Sequence, residues 1–233
     1  MPLQSFDLAV PTAAFFSTIV GLLTLNSLFK NKIKELFDDR NYFIFFFLTI
    51  GYVLYALGEL SWFLMFTLTG GKSPKTIADV YWTAGTLAMA AAFIALAMTL
   101  YKEHRSGRKL WGVAGIGVII FSLVLYFLFS GTVSGDYIFN YYYPLASSLI
   151  VAFSSSIIFY YPQLTSLKKS LLLLFFANIA ILGGDLFFAY SSTSTASVAK
   201  TISDGSYIIG YVLSGLFFIA AFFALHNHQK PQA

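Results

Sequence analysis

Cysteine is absent from the 233-residue chain, and charged residues are scarce. Without cysteine there is no disulfide, no thiolate metal site and no thiol nucleophile. Only 10% of the residues are charged whereas 58% are hydrophobic, and the mean hydropathy is +0.76. A water-soluble domain of this length has no core large enough to hide so many apolar side chains. The composition therefore predicts an all-α, polytopic membrane protein whose first partner is the lipid bilayer.

Long apolar runs account for most of the chain. A bilayer core about 30 Å thick needs about 20 apolar residues in each helix, and seven runs meet that length. They extend approximately over Leu8 to Phe29, Tyr42 to Thr67, Ala78 to Tyr101, Leu110 to Ser130, Tyr137 to Tyr161, Ser170 to Tyr190, and Ser203 to Leu225. Because the stretches between them are short, we expect residues 1–233 to form a single transmembrane domain.

Lysine and arginine are distributed unevenly between the two sides of these spans. Eleven of the 14 fall on one side and three on the other. The eleven are Lys30, Lys32, Lys34, Arg40, Lys102, Arg105, Arg108, Lys109, Lys168, Lys169 and Lys230; the three are Lys72, Lys75 and Lys200. By the positive-inside rule this places the N-terminus outside the cell membrane and the C-terminus in the cytoplasm. Topology and contact with anionic lipid explain the basic loops, so no nucleic-acid partner is predicted.

Two segments of the chain match each other: GELSWFLMFTLTGGKSPKTIADVYWTAG and GDLFFAYSSTSTASVAKTISDGSYIIG. The matching pairs are Gly58 and Gly184, Glu59 and Asp185, Lys75 and Lys200, Asp79 and Asp204, Trp82 and Tyr207, and Gly85 and Gly210. The copies lie four spans apart and so run in the same direction. This predicts a 3+1+3 plan with parallel internal repeats, in halves of about 8–101 and 137–225 joined by a linker helix at about 110–130. Sugar-transporting SWEET proteins have such a plan and it can be drawn for seven-helix rhodopsins, so it selects no function.

Four acidic residues belong to the repeat, and each is followed three residues later by an aromatic residue. The pairs are Glu59 and Trp62, Asp79 and Trp82, Asp185 and Phe188, and Asp204 and Tyr207. At this spacing on a helix, the acid and the ring share one face. The pattern predicts an outward-facing vestibule of carboxylates and rings, suited to a cation through Coulomb and cation–π attraction.

Structural roles are also open to these acids. Asp79 and Asp204 each follow a threonine by three residues and so also read as capping boxes at the starts of the third and seventh spans.

Glu59 and Asp185 lie inside spans, where a carboxylate costs at least about 2.5–3.5 kcal/mol. We therefore expect them to face the bundle interior with partners, namely Tyr52 and Tyr55 for Glu59 and Asn178 for Asp185. The alternative role for them is a protonated acid that joins two helices by hydrogen bonds.

Several cofactors are excluded by residues that are missing from the right places. The seventh span has no lysine for a retinal Schiff base. His104, His226 and His228 all fall on the cytoplasmic side, away from the acids, so neither a haem nor a zinc site is predicted. We expect no cofactor and no metal.

The acidic turn of the second span, followed by SPKTIADVYWTAG, resembles multispan sensor modules that precede diguanylate cyclase or histidine kinase domains in bacteria and archaea. The second copy resembles the corresponding later part of such modules. The matching positions are Ser73, Pro74, Ala78, Asp79, Trp82, Gly85, Asp185, Asp204, Tyr207 and Gly210. Such modules are usually fused to an output domain, and these residues contain none. The resemblance therefore implies a sensor that acts through a separate cytoplasmic signalling partner.

These patterns lead to three hypotheses. The first is a stand-alone membrane sensor or ligand-binding module that recognises a small cationic or amphiphilic ligand from the outer side. The second is a small-solute or proton-coupled transporter built on the 3+1+3 repeat. The third is an intramembrane lipid-processing enzyme with the two buried acids as general acid and base, although the sequence favours a non-enzymatic role. The predicted ligand- or proton-binding residues are Glu59, Asp185, Asp79, Asp204, Trp82, Tyr207, Trp62 and Asn178.

Overall fold

A computed structural model describes residues 5–30, 32–69, 77–133, 138–164, 167–191 and 197–229. Seven long helices dominate them: α1 Ser5–Phe29, α2 Arg40–Thr69, α3 Ile77–His104, α4 Gly107–Phe127, α5 Phe139–Ser154, α6 Lys168–Ser191 and α7 Ser197–Gln229. A π-helical turn, Leu128–Thr132, extends α4, and the turn Ser156–Phe159 continues α5. All seven, with these continuations, are long and apolar enough to cross a membrane. The prediction of an all-α protein with seven membrane-spanning helices is confirmed.

The start of α2 is stabilised by Asp39. Its Oδ1 accepts the backbone N–H groups of Asn41 at 3.0 Å and Tyr42 at 3.1 Å, which have no acceptor within the helix. The Lys32 Nζ donates to Oδ2 at 2.8 Å. Partial burial acts to raise the pKa of Asp39, but these hydrogen bonds outweigh it and hold the pKa below its ordinary value. A charged cap therefore fixes where α2 begins.

Six helices form a closed ring. α1 packs against α2 and α7, α3 packs against α2 and α5, and α6 packs against α5 and α7. The order around the ring is therefore α1, α2, α3, α5, α6, α7. α4 packs on the outside of α5, and only 17% of its most apolar window is buried, against 39–61% in the other six helices. The interior of the bundle is thus built without α4.

Small residues let the ring helices approach closely at two places. A Cβ on Gly85 of α3 would lie 3.0 Å from the carbonyl oxygen of Gly51 in α2. A Cβ on Gly210 of α7 would lie 3.2 Å from the carbonyl oxygen of Ala177 in α6. Close backbone approach of this kind is typical of helix pairs in membranes. The α2–α3 and α6–α7 pairs are therefore held tightly.

The two ends of the ring are filled differently. We call the end where α1, α3, α5 and α7 begin the N-terminal face. Towards the opposite face, aromatic side chains fill the interior: Phe45, Phe217 and Phe218 are at most 3% exposed, and the rings of Phe45 and Phe217 stack with centroids 5.8 Å apart. Space inside the ring therefore remains towards the N-terminal face.

The α2–α3 contact predicts a difference between two glycine substitutions. Gly85→Ala should lower the stability of the protein by about 1–3 kcal/mol, because the new methyl group pushes against backbone and the two helices must separate. Gly115→Ala in α4 is the matched control, since a Cβ there meets nothing within 4 Å. It should leave stability unchanged or raise it by up to about 1 kcal/mol through helix propensity. Thermal unfolding in detergent micelles measures both, and equal midpoints would contradict this account of the packing.

Candidate functional site

A cavity of about 680 Å³ lies inside the ring, towards the N-terminal face. Described residues of all six ring helices line it, and none of them lies on α4. Nine of the 18 described lining residues are aromatic: Tyr55, Trp62, Phe63, Phe66, Trp82, Tyr143, Phe188, Tyr207 and Tyr211. The charged ones among the 18 are Glu59, Asp185, Asp204 and Lys200. In the described part of the chain, the cavity is therefore an aromatic chamber in which carboxyl groups outnumber cationic groups.

Glu59 reaches the cavity from α2. Its side chain is buried, with 8% of the residue exposed. Oε1 accepts a hydrogen bond of 2.8 Å from the hydroxyl of Tyr211 in α7. A carboxyl group in an apolar interior needs such a donor, since leaving it without one costs several kcal/mol. The bond therefore holds Glu59 in place and joins α2 to α7.

Asp185 reaches the cavity from α6 and is also 8% exposed. Its Oδ1 accepts a hydrogen bond of 2.6 Å from the hydroxyl of Tyr207 in α7, and its Oδ2 accepts one from the hydroxyl of Ser147 in α5. Both carboxyl oxygens are thus engaged, and this one side chain connects three helices.

Tyr207 and Tyr211 lie one turn apart on α7. Their rings are stacked, with centroids 6.5 Å apart and an interplanar angle of 22°. One hydroxyl binds Asp185 and the other binds Glu59. Successive turns of a single helix therefore hold the two carboxyl groups that line the same cavity.

An aromatic ring covers the glycine that precedes each acid. A Cβ on Gly58 would lie 2.4 Å from the Trp82 ring, and one on Gly184 would lie 2.6 Å from the Tyr207 ring. The Tyr207 hydroxyl binds Asp185, whereas Trp82 Nε1 lies near Glu59 but has no hydrogen-bond partner among the described residues. The two acids therefore have similar surroundings but different numbers of donors.

Four rings from four helices form a continuous wall of the cavity. Trp62 of α2 contacts Trp82 of α3 with centroids 5.8 Å apart, and it contacts Phe188 of α6 edge-on at 6.2 Å. Trp82 in turn meets Tyr143 of α5 edge-on at 5.9 Å. All four rings line the cavity, and aromatic rings attract cations.

Lys200 and Asp204 line the cavity nearer to water. Their Nζ and Oδ2 atoms are 3.8 Å apart, and the side chains are 43% and 17% exposed. The Lys200 Nζ also lies 5.7 Å from the centroid of Phe66. The rim therefore places an acid and a lysine of the protein beside an aromatic ring.

The prediction that Asp204 belongs to a capping box at the start of the seventh span is wrong. α7 begins at Ser197, so Thr201 and Asp204 already lie within the helix. Asp79 does lie in the first turn of α3, but Thr76, the other half of its capping box, is outside the described residues. Asp79 is 4% exposed and its Oδ1 accepts a hydrogen bond of 3.0 Å from Tyr143.

The structure brings together most of the predicted site residues. Six of the eight line the cavity: Glu59, Asp185, Asp204, Trp62, Trp82 and Tyr207. Asp79 is not among the lining residues, but it accepts a hydrogen bond from Tyr143, which does line the cavity. Asn178 is not among them either; it is 2% exposed and its Nδ2 has no hydrogen-bond partner within the described chain.

The partners predicted for the two buried acids are wrong. Tyr52 binds Ser214, and Tyr55 binds Thr86, so neither hydroxyl binds Glu59. Asp185 binds Ser147 and Tyr207 rather than Asn178. The prediction considered neighbours on the same helix, whereas both acids use donors from other helices. Glu59 binds Tyr211 of α7, which α1 separates from α2 in the ring, and Asp185 binds residues of its ring neighbours α5 and α7.

Sequence reasoning missed Tyr211, Tyr143 and Ser147. Tyr211 lies four residues after Tyr207 and hence on the same helix face, so its position was a usable signal. Tyr143 is the last of three consecutive tyrosines, and nothing in the sequence distinguishes it from Tyr141 and Tyr142. Nothing in the sequence distinguishes Ser147 from the other serines of α5.

Comparisons of the chain with protein-family models, with curated proteins and with solved structures found no match. The cavity is therefore interpreted from its own residues.

Removing one hydroxyl tests whether Tyr211 stabilises the buried acid. Tyr211→Phe should lower the stability of the protein by about 1–3 kcal/mol, because Glu59 loses its donor while remaining buried. Tyr126→Phe is the matched control, since Tyr126 lies on α4 and is 76% exposed. Thermal unfolding in detergent micelles should separate the two variants, and a Tyr211→Phe protein as stable as the control would show that the bond contributes nothing.

Proposed function

We propose that the protein is a stand-alone membrane sensor or ligand-binding module, and that it binds a small cationic or amphiphilic ligand in the cavity. The supporting observation is that Glu59 and Asp185, from two different helices, line one aromatic chamber. Carboxylates inside a membrane bundle are costly and typically mark a functional site.

The chemistry of the cavity favours a cation over other ligands. Among the described residues, three carboxyl groups and one lysine line it, so acidic groups outnumber basic ones there. Glu59 and Asp185 are each only 8% exposed, so a charge in the cavity acts on them more strongly than it would in solution. The adjacent rings add cation–π attraction and apolar surface. An amphiphilic cation would use both the carboxyl groups, through its charge, and the aromatic rings, through its apolar part.

A signal would have to travel from the cavity to the opposite face of the bundle. α7 is suited to carry it, because this helix holds both acids through Tyr207 and Tyr211 and extends to Gln229. In this proposal, ligand binding between the acids changes the position of α7, and a cytoplasmic partner reads the change at the basic loops. The resemblance of helices 2, 3, 6 and 7 to sensor modules supports this role.

A transporter is the second candidate, because the order of the ring pairs two halves around the cavity. Exchanging α1, α2 and α3 for α5, α6 and α7 leaves every neighbour relation in the ring unchanged. The close approaches at Gly85 and Gly210, and the covered glycines Gly58 and Gly184, also correspond under this exchange. We propose that this reflects the 3+1+3 plan, in which two parallel halves could move against each other around a central site.

Neutral variants of the acids test the binding proposal. Glu59→Gln and Asp185→Asn keep an oxygen that can accept the tyrosine hydroxyl, so folding should survive while the attraction for a cation is lost. We expect at least a tenfold loss of affinity for a hydrophobic ammonium ion, measured by equilibrium binding to the purified full chain. Glu103→Gln, an exposed acid at the opposite end of α3, is the matched control and should bind normally. Unchanged affinity in both cavity variants would refute the proposed site.

Flux measurements separate the two candidates. In proteoliposomes, a transporter should carry the cation across the membrane down an imposed gradient of its concentration, and Glu59→Gln should abolish this flux. A sensor should bind the cation without catalysing flux. Binding without flux in the unmodified protein would therefore eliminate the transporter.

The absence of cysteine makes the proposed orientation easy to test. Lys72→Cys should react with a membrane-impermeant maleimide in intact cells, because the positive-inside rule places it outside. Lys102→Cys, near the other end of the third span, should react only after the membrane is permeabilised. The opposite pattern of labelling would show that the N-terminus is cytoplasmic.

A further inference from the structure

We propose that the cation is a fully alkylated onium ion, such as a quaternary ammonium, that carries an apolar chain. This inference rests on the proposed function and names the ligand class of the same cavity. It follows from how the polar groups of the chamber are already used, from the aromatic wall, and from the size of the space.

The carboxyl groups would attract a ligand mainly through their charge, because hydroxyl groups of the protein already bind most of their oxygens. Three of the four oxygens of Glu59 and Asp185 already accept hydroxyl hydrogen bonds from Tyr211, Tyr207 and Ser147. A primary ammonium would have to share those oxygens with the hydroxyl donors, or bind Glu59 Oε2, which accepts no hydroxyl hydrogen bond among the described residues. A cation without N–H groups needs only the charge and leaves the internal bonds intact.

The other hydroxyl groups of the chamber are also engaged. Tyr55 is hydrogen-bonded to Thr86 at 3.0 Å, and Tyr143 donates to Asp79 at 3.0 Å. The Ser191 hydroxyl donates to the backbone oxygen of Phe188. These tyrosine, threonine and serine hydroxyls bind one another, an acid or the backbone, so a ligand that needs no hydrogen bonds leaves all of these contacts intact.

The aromatic wall supplies what an alkylated cation prefers. Trp62, Trp82, Phe188 and Tyr143 are in mutual ring contact beside the two acids. Quaternary ammonium groups are recognised by such assemblies of rings, with tryptophan contributing most. At the rim, the side chain of Lys200 already places a cation over the Phe66 ring. The chamber is thus compatible with a positive charge held by π-faces.

The cavity is larger than a cationic head alone requires. Its volume of about 680 Å³ falls within the range of about 300–1,000 Å³ that holds drug-sized ligands. Val10, Pro11, Phe63 and Ile181 provide apolar lining besides the ring wall. This surface would be covered by an aliphatic chain attached to the head.

The test compares two cations with the same charge and the same hexyl chain: hexyltrimethylammonium, whose nitrogen carries three methyl groups, and hexylammonium, whose nitrogen carries three N–H groups. The full chain is purified in an uncharged maltoside detergent, without choline-containing lipid or detergent, because these carry the proposed head group. Trp111→Phe serves as the background, since Trp111 is 78% exposed on α4 and its removal leaves only Trp62 and Trp82, both of which line the cavity. Tryptophan fluorescence and the shift in thermal unfolding then report binding independently.

We expect hexyltrimethylammonium to bind at least tenfold more tightly than hexylammonium. Trp62→Leu should remove most of this preference, a loss of about tenfold, because one face of the wall is lost. Equal affinities, or tighter binding of hexylammonium, would overturn the inference about the head group and leave a cation-binding cavity in place. Binding of neither cation would overturn the proposed function as well. The comparison on the unmodified cavity decides the question even if Trp62→Leu does not fold.

Discussion

The hydrogen bonds from Tyr207 and Tyr211 to the two buried carboxyl groups are the constraint on which the arrangement of helices around the cavity depends. Without donors, Glu59 and Asp185 could not remain inside an apolar bundle at acceptable cost. Because both donors lie on successive turns of α7, the positions of α2 and α6 around the cavity are tied to one helix. The Ser147 hydroxyl extends the same network to α5. Polar contacts of this kind, fully satisfied, specify how helices fit together more narrowly than apolar packing does.

The ring and the cavity have a common cause. Six helices surround a central space, and aromatic packing around Phe45 and Phe217 fills it towards one face. Towards the other face the polar network occupies the interior, and polar groups with fixed hydrogen-bond geometry do not collapse into space as aliphatic side chains do. α4 contributes to neither half of the interior, which agrees with the low buried share of its surface. Tight apolar packing thus lies towards one face of the ring, and the polar groups that line the cavity lie towards the other.

The number and type of the helices could be predicted from the sequence, because the length of an apolar run is a local property and the thickness of the bilayer sets the length that a spanning helix needs. The cavity residues could be predicted in part for a related reason: a carboxylate within a span is so costly that its position inside the bundle follows from solvation alone. The partners could not be predicted, since the donors to Glu59 and Asp185 lie on other helices and hydropathy does not indicate which helix faces meet in the bundle. The capping interpretation of Asp204 failed because the loop before α7 is shorter than hydropathy suggests. The helix extends back to Ser197 through polar residues that carry no hydrophobic signal.

The difference between Trp82 and Tyr207 makes the two acids chemically unequal. Each ring covers the glycine before an acid, but only the tyrosine donates to its neighbour, so Asp185 has two hydroxyl donors and Glu59 has one. Glu59 Oε2 therefore accepts no hydroxyl hydrogen bond among the described residues, whereas both carboxyl oxygens of Asp185 accept one. A ligand with one charged end and one apolar end would therefore meet different hydrogen-bonding surroundings at Glu59 and at Asp185. This difference would favour one orientation of the ligand in the cavity.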